Sequence, residues 1–475
     1  MKKVLSKFRH SMRLSTSMPD STPDPALSVI TAQVSPHQTI AQSERSVSVQ
    51  VQEDSQAKPS GSTPHLNAPL ENLPPEVRRH LLSMLELDGL RALVSTSPIY
   101  YHQYLLDRRH LLCKCLEVTL RSVTVDACAV YQSSSIEFSD ARTSESISQF
   151  LKSYRDRRSG SQYSVISETL TVDDIVRIVA FHSSIIKPLA RHYTAWALDN
   201  LSKEAGDPQN HESLSITEET RLMRALYRFQ LCCNLFGVGR YRSYLQPRLG
   251  FDSVDILKIF ICIFEPWEVE EIACIYSFAK EKYNHIFDDI CWDINEKNPK
   301  FAAQRPPTPE GAFDLDNSWV RDSLLKGTIS CGLELLHTVL FKIKDHAQLV
   351  STMQKHISWP IGSFLEDDAL GETAQSQRRQ EQLSNRDLRQ ERRDPFPFQG
   401  DEVLDANGEH PPLAWTLIWK GSYSNLYGYY VQDVIRRWGY VMWDASRLER
   451  TGAKEVLARQ WRADWGDTDP RDYLL

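Results

Sequence analysis

The sequence contains no two cysteines spaced as C-x-x-C, and its nine cysteines are an odd number for a chain of 475 residues. They stand singly in apolar segments (Cys128, Cys262, Cys274, Cys291, Cys331) or as close neighbours (Cys113 with Cys115, Cys232 with Cys233). A secreted disulfide framework and a structural zinc site are both disfavoured, so reduced thiols in the cytoplasm or nucleus are expected. Long apolar runs are also missing. The longest, Ile259 to Phe264, falls far short of the ~20 residues that span a bilayer, so no membrane partner is expected. Neither sign of charge dominates: 55 Lys and Arg face 62 Asp and Glu, a net charge of −7, which gives no global reason to bind nucleic acid or an anionic surface. Alternating strand patterns are scarce, and the Asn407-Gly408 pair lies in a charged loop rather than between strands. No internal repeat of ~20–50 residues is present, which excludes solenoid and propeller arrays.

What is present divides the chain. Residues 1–69 are rich in Ser, Thr, Pro and Gln, with no aromatic residue from Leu14 to Pro69. Such a stretch buries too little apolar surface to offset chain entropy, and a disordered tail is expected. Its first thirteen residues, Met1 to Arg13, are basic and free of acids but precede no apolar segment. A secretory signal is not expected there; a solvated tip or a weak targeting address is. Its Thr22-Pro, Ser35-Pro and Thr63-Pro steps are candidate phosphorylation sites of low specificity.

Helical periodicity follows. Leu222, Leu226, Phe229, Cys233 and Phe236 recur at three- and four-residue steps behind a Ser215-x-x-Glu218 capping box, with Gly237 at the far end. Thr171-x-x-Asp174 opens a second helix, Ser253 is the expected cap of a third, and Pro266 begins a fourth. The expected fold is mainly α: a small three-helix segment, then a larger, mostly helical domain over 113–365 with a loop near 298–316. A polar linker over 366–412 and an aromatic-rich part over 413–475 that packs on the helical domain complete it. The linker's arginines (Arg378, Arg379, Arg386, Arg389, Arg392, Arg393) are interleaved with acids, which favours a solvated linker or an exposed helix over a nucleic-acid-binding arm.

The most informative stretch is 70–112. Asn72 is placed to cap a helix, Pro74 and Pro75 suit a first turn, and Val77, Leu81, Leu82 and Leu85 form one apolar stripe. Asp88-Gly89 reads as a break, Leu90, Leu93 and Val94 as a second stripe, and Tyr101, Tyr104, Leu105 and Leu111 as a third. Three short helices cannot bury all of this among themselves, so part of the surface is expected to face a partner or the following domain.

This stretch resembles the F-box. The match runs through Leu73, Pro74, Glu76 and Val77, the aliphatic pair Leu81 and Leu82, Leu85, and the Leu-x-x-Leu of Leu90 and Leu93. It departs at Gly89, where the family usually has Asp, and from Ser97 to Tyr104, where the later Cys and Trp positions have no counterpart. The resemblance implies that Leu73, Pro74, Val77, Leu81, Leu85, Leu90 and Leu93 contact a Skp-type adaptor or support that contact, linking the chain to a cullin–RING ubiquitin ligase. A looser similarity, through Arg228 to Phe236 and Ile435 to Leu448, is to F-box-like proteins of filamentous fungi with long helical C-terminal regions. The alternative from another class is an interaction or structural protein whose F-box-like helices serve only its fold.

Catalytic motifs are absent. Asp314-Leu-Asp316 stands alone in a Pro-rich stretch, paired acids such as Asp173-Asp174 suit helix starts, and His182, His192, His285 and His337 lack partners at metal spacing. No catalytic residue, metal or cofactor is expected. Trp415, Trp419, Tyr423 and Tyr427, within a cluster that runs on to Trp443, are the candidate target-binding residues, because aromatics dominate protein-binding hot spots. A helical core uses the same residues.

Overall fold

Helix-starting chemistry operates where the spacing predicts it. Ser215 Oγ accepts from the Glu218 N–H at 3.1 Å while Glu218 accepts from the Ser215 N–H at 3.0 Å. Thr171 and Asp174 form the same reciprocal pair, and Pro266 occupies a first turn where its missing N–H costs nothing. The computed structural model describes residues 69–140, 142–160, 170–206, 213–238, 251–302, 311–401 and 410–474, all within one unit, Leu66–Leu475. The expected tail over 1–69, except its last residue, and most of the Pro-rich part of the 298–316 loop lie outside the described residues. Among the described residues 73% are helical and there are no strands, hence a mainly α fold; an isolated antiparallel bridge joins Pro395 to Ser422.

The helices follow in order. The N-terminal group is α1 (Pro75–Ser83), α2 (Leu87–Thr96), α3 (Pro98–Leu106) and α4 (Arg108–Leu120), followed by α5 (Thr124–Ser133), α6 (Ile136–Asp140) and α7 (Ser144–Ser159). Next come α8 (Val172–Phe181), a π turn at His182–Ile186, α9 (Lys187–Ala205), α10 (Ile216–Phe236), α11 (Ser253–Ile259) and α12 (Pro266–Ile290). The remainder comprises α13 (Ser318–Ile329), α14 (Leu333–His337) leading into a second π turn, α15 (His346–His356), α16 (Glu372–Glu381), α17 (Asn385–Glu391), α18 (Leu413–Ile418), α19 (Asp433–Arg436), α20 (Ala445–Arg450) and α21 (Ala453–Trp465).

The centre is α10, packed against α5 and α12. Every residue from Arg221 to Cys233 is buried, and so is every residue from Pro266 to Ala279 of α12. A helix buried on all sides is normally apolar throughout; these two carry charges inward and pair them. Arg228 donates to Glu268 at 2.7 Å and reaches Asp126 of α5 at 3.4 Å. Arg224 grips both oxygens of Glu271, its Nε at 2.7 Å, and Arg158 of α7 reaches Glu268 at 3.2 Å. Burial pushes the Glu268 carboxyl up, but Arg228, Arg158 and Arg224 more than offset this and hold it well below the usual carboxylate range. Glu270 faces the other way and binds Arg436 of α19 at 3.0 Å. Such pairs are costly to desolvate, and removing one partner costs far more than the pair contributes.

Close packing explains Gly237, the residue after α10. Its φ is −85°, so handedness is not the reason. A Cβ there would lie 2.2 Å from the Ser330 carbonyl oxygen.

Several local readings shift. The segment expected as a polar linker over 366–412 folds from 372 to 391 into α16 and α17, because its arginines find internal partners. Arg378 pairs with buried Asp387, Arg386 donates to the Phe264 carbonyl at 2.7 Å, and Arg393 reaches Asp469 at 2.6 Å. Asp252, not Ser253, caps α11, through Asp255. Asn72 ends a short 3-10 turn, and Pro74 precedes α1. Asp88 and Gly89 lie inside the first turn of α2, where Asp88 suits the positive end of the helix; the break falls at Met84 to Glu86.

Replacing Arg228 with Leu removes the cation from buried Asp126 and the shortest ion pair from Glu268, which keeps Arg158. The expected loss is about 3–5 kcal/mol of unfolding free energy, measured by urea titration. A loss near zero would show that the ion pairs are not what holds α5, α10 and α12 in register.

Candidate functional site

Two surfaces qualify by chemistry. The first is the N-terminal helical group. Ser97 caps α3 and donates to Glu71 at 2.6 Å, and the Tyr100 hydroxyl donates to the Leu70 carbonyl at 2.8 Å. These bonds tie the Leu-Pro turn to α3. The α1 and α2 helices rest on α4, where Cys115 Sγ donates to the Leu82 carbonyl and the Leu87 N–H to Thr119 at 2.9 Å. Lys187 forms an ion pair with Asp88, which joins α2 to the larger body.

The seven residues implied by the F-box resemblance divide on this scaffold. Pro74 and Val77 are exposed, and Leu73 is half-buried. Leu81, Leu85 and Leu93 are partly buried against the core, while Leu90 is buried and is therefore a support rather than a contact. The third stripe expected on Tyr101, Tyr104, Leu105 and Leu111 is rotated. Tyr100 and Gln103 point inward, Tyr101 and Leu105 outward, and Leu111 belongs to the core of α4. Seven of the eighteen exposed large apolar side chains among the described residues lie in this short segment: Leu70, Val77, Met84, Ile99, Tyr101, Leu105 and Leu106. Single exposed apolars are ordinary, but this local density makes the segment a candidate interaction surface. Tyr101 and Leu105 were legible from their four-residue spacing; Leu70, Met84, Ile99 and Leu106 carried no separate signal.

The aromatic C-terminal set is not such a surface. Trp415, Trp419, Tyr423 and Tyr427 are all buried, so the candidate target-binding role of these four is corrected to core packing. Trp419 meets Trp415 and Trp461 with ring centroids 5.7 and 5.2 Å away, and the Arg471 guanidinium lies 5.2 Å from the Trp419 ring centroid. Arg389 sits 4.0 Å from the Tyr423 ring centroid. Aromatic rings and Arg are as useful inside a helical core as at an interface, and composition does not separate the two uses.

The second candidate is a cavity of about 720 Å³ bounded by α5, α6, α8, the His182–Ile186 π turn, α10 and α14. Its volume lies within the ~300–1,000 Å³ of ordinary ligand sites. Its lining mixes polar side chains, among them Tyr131, Glu137, Asp174, Arg177 and Asn234, with the apolar Ile178, Phe181 and Ile185. Tyr131 donates to Asp174, whose carboxyl this bond and the helix cap hold below its ordinary value. Behind the π turn, His182 lies 3.2 Å from the Tyr227 hydroxyl, with the two rings nearly parallel. Burial, with Lys187 nearby, pushes its imidazole down to about 4.

No other chemistry gathers. Among the described residues no group of three or more His, Cys, Asp or Glu is placed to hold a metal ion, and no single helix is long and apolar enough to cross a membrane. Asp316 accepts from Asn295 at 3.0 Å, a structural bond in its loop. None of the nine cysteines forms a disulfide, and burial pushes the thiols of Cys115 and Cys128 up to about 12, which leaves them unreactive at neutral pH. No protein-family model, curated protein or solved structure matches the chain.

Two outcomes follow from this geometry. Trp419→Ala should cost about 3–5 kcal/mol in denaturant unfolding; a stable variant would return these rings to the surface. Folded protein keeps His182 neutral, whereas the unfolded chain takes up a proton near pH 6.5. Protons therefore favour unfolding, and stability should fall by about 3 kcal/mol as pH drops from 6.5 towards 4. Calorimetry of His182→Asn should show a correspondingly shallower acid limb.

Proposed function

We propose that the chain is a substrate-recruiting F-box subunit of a cullin–RING ubiquitin ligase, holding a Skp-type adaptor through residues 70–112 and a target protein through the larger helical body. The observation that carries this reading is the exposure of Pro74 and Val77 on a segment that also turns Leu70, Met84, Tyr101, Leu105 and Leu106 outward. Pro74 and Val77 are positions at which the F-box resemblance implies adaptor contact, and Met84 adjoins a third, Leu85; Leu70, Tyr101, Leu105 and Leu106 lie outside the matched positions. In this reading the chain contributes no acid, base or nucleophile. It raises the local concentration of a target lysine beside a ubiquitin-loaded enzyme held elsewhere in the assembly, which is catalysis by proximity. The ion-paired body suits that task, since orientation is kept only by a stiff spacer between two docking sites.

Co-purification with a Skp-type adaptor and a cullin tests the proposal. The wild-type chain should recover both. Val77→Asp and the double change Leu73→Ala with Pro74→Ala should reduce adaptor recovery at least about tenfold, and Val77→Asp, at an exposed position, should shift stability by no more than about 0.5 kcal/mol. Leu90→Ala should instead destabilise the fold by about 2–5 kcal/mol. If the wild type recovers no adaptor, or the surface variants bind as well as the wild type, the proposal fails.

A further inference from the structure

We propose that residues 357–371 form a strap that opens locally, with the Lys280–Glu366 ion pair as its latch and backbone strain at Glu366 as the spring that the latch holds shut. The helices beneath the strap stay folded when it lifts.

The strap joins α15 to α16 and contains only a short π turn, Leu365–Ala369. Within that turn Glu366 has φ 20° and ψ −109°. A side chain at positive φ crowds its own backbone, and a residue other than Gly persists there only where its surroundings over-determine it. Two contacts from α12 do so. Lys280 donates to the Glu366 carboxylate at 2.5 Å, and the buried Tyr276 bonds to the same side chain. Asp368 closes the turn by accepting from the Phe364 N–H at 2.9 Å, and Lys326 of α13 holds Asp368 at 3.1 Å. Ser363 adds a hydroxyl bond to Ser253 of α11 at 3.0 Å. The central tie is polar and partly wet, with the Lys280 side chain 33% and that of Glu366 20% exposed, so water competes for it.

Both ends are fixed by backbone contact instead. At the start, Ser358 crosses α13 so closely that a Cβ on Gly327 would lie 1.9 Å from its carbonyl oxygen. At the finish, the Leu370 carbonyl accepts from the Tyr429 N–H at 3.0 Å, and a Cβ on Gly428 would lie 2.3 Å from it. A segment pinned at both ends and strained in the middle lifts as a loop when the middle tie breaks. Phe364, whose ring centroid lies 6.3 Å from that of Tyr276, leaves with it. The open strap therefore presents an apolar ring, and the face of α12 around Tyr276, that the closed strap covers.

Hydrogen exchange of the full chain, followed by mass spectrometry and corrected for intrinsic rates, reads such an opening directly. Glu366→Ala keeps a Cβ at positive φ but removes the latch, and Lys280→Met removes it from the other side. Each should lower protection of residues 364–371 about tenfold, while peptides from α10 exchange as in the wild type. Glu366→Gly removes latch and strain together, and should be protected about tenfold better than Glu366→Ala. Wild-type protection in Lys280→Met or Glu366→Ala, or equal protection in the glycine and alanine variants, overturns the inference. Equal loss across 364–371 and α10 also overturns it, since the opening would then be global unfolding. Lys280→Met leaves the sequence of the strap untouched, so it keeps the test decisive even where a Glu366 variant fails to fold.

Discussion

Three glutamates within four residues of one buried helix hold this molecule together. Glu268, Glu270 and Glu271 lie in the fully buried stretch of α12, and each is held by arginine. Glu268 takes Arg228 and Arg158, Glu271 takes Arg224, and Glu270 takes Arg436. Glu270 also accepts from the Gly428 N–H and lies 3.3 Å from the Tyr440 hydroxyl. A lone carboxylate at any of these positions would cost several kcal/mol to desolvate. The arrangement therefore does not tolerate slippage: sliding α12 by one residue against α10 or α19 would leave charges unpaired on both sides. Apolar packing supplies most of the driving force for folding, and the ion pairs select which packing is adopted.

This inversion, with charges inside and apolar groups outside at the N-terminal end, organises the rest. Rings of the C-terminal part pack against α12, with Phe396 tilted against Trp267 at 5.4 Å between ring centroids and edge-on to Tyr423 at 5.5 Å. The short helices α1 to α3 are anchored from beneath by α4 and laterally by the Asp88–Lys187 pair. Because that support is rigid, the apolar side chains they expose need not collapse inward. The cavity lies on the body side of the same junction, walled by the π turn that immediately precedes Lys187.

Local signals were readable wherever the physics is local. Capping at Ser215 and Thr171 and the proline start of α12 depend on residues three apart, so spacing alone reveals them. The linker reading of 366–412 failed for the opposite reason. Arg386 bonds to Phe264 and Arg393 to Asp469, partners some 120 and 80 residues distant in sequence, and a polar composition looks solvated until those partners are known. Along α3, Tyr100 and Tyr101 have nearly the same character, and only the bond from Tyr100 to Leu70 decides which ring turns inward.

The sequence by itself determined the helical class, the positions of the main caps, the reduced thiols and the F-box-like spacing, because each depends on composition or on neighbours within a turn or two. Tertiary structure alone decided that Trp415, Trp419, Tyr423 and Tyr427 are core, that Leu90 supports while Val77 faces outward, and that a polar cavity exists at all. Those outcomes depend on which distant surfaces meet, and a linear pattern of apolar and charged residues does not record which surface will cover a given face.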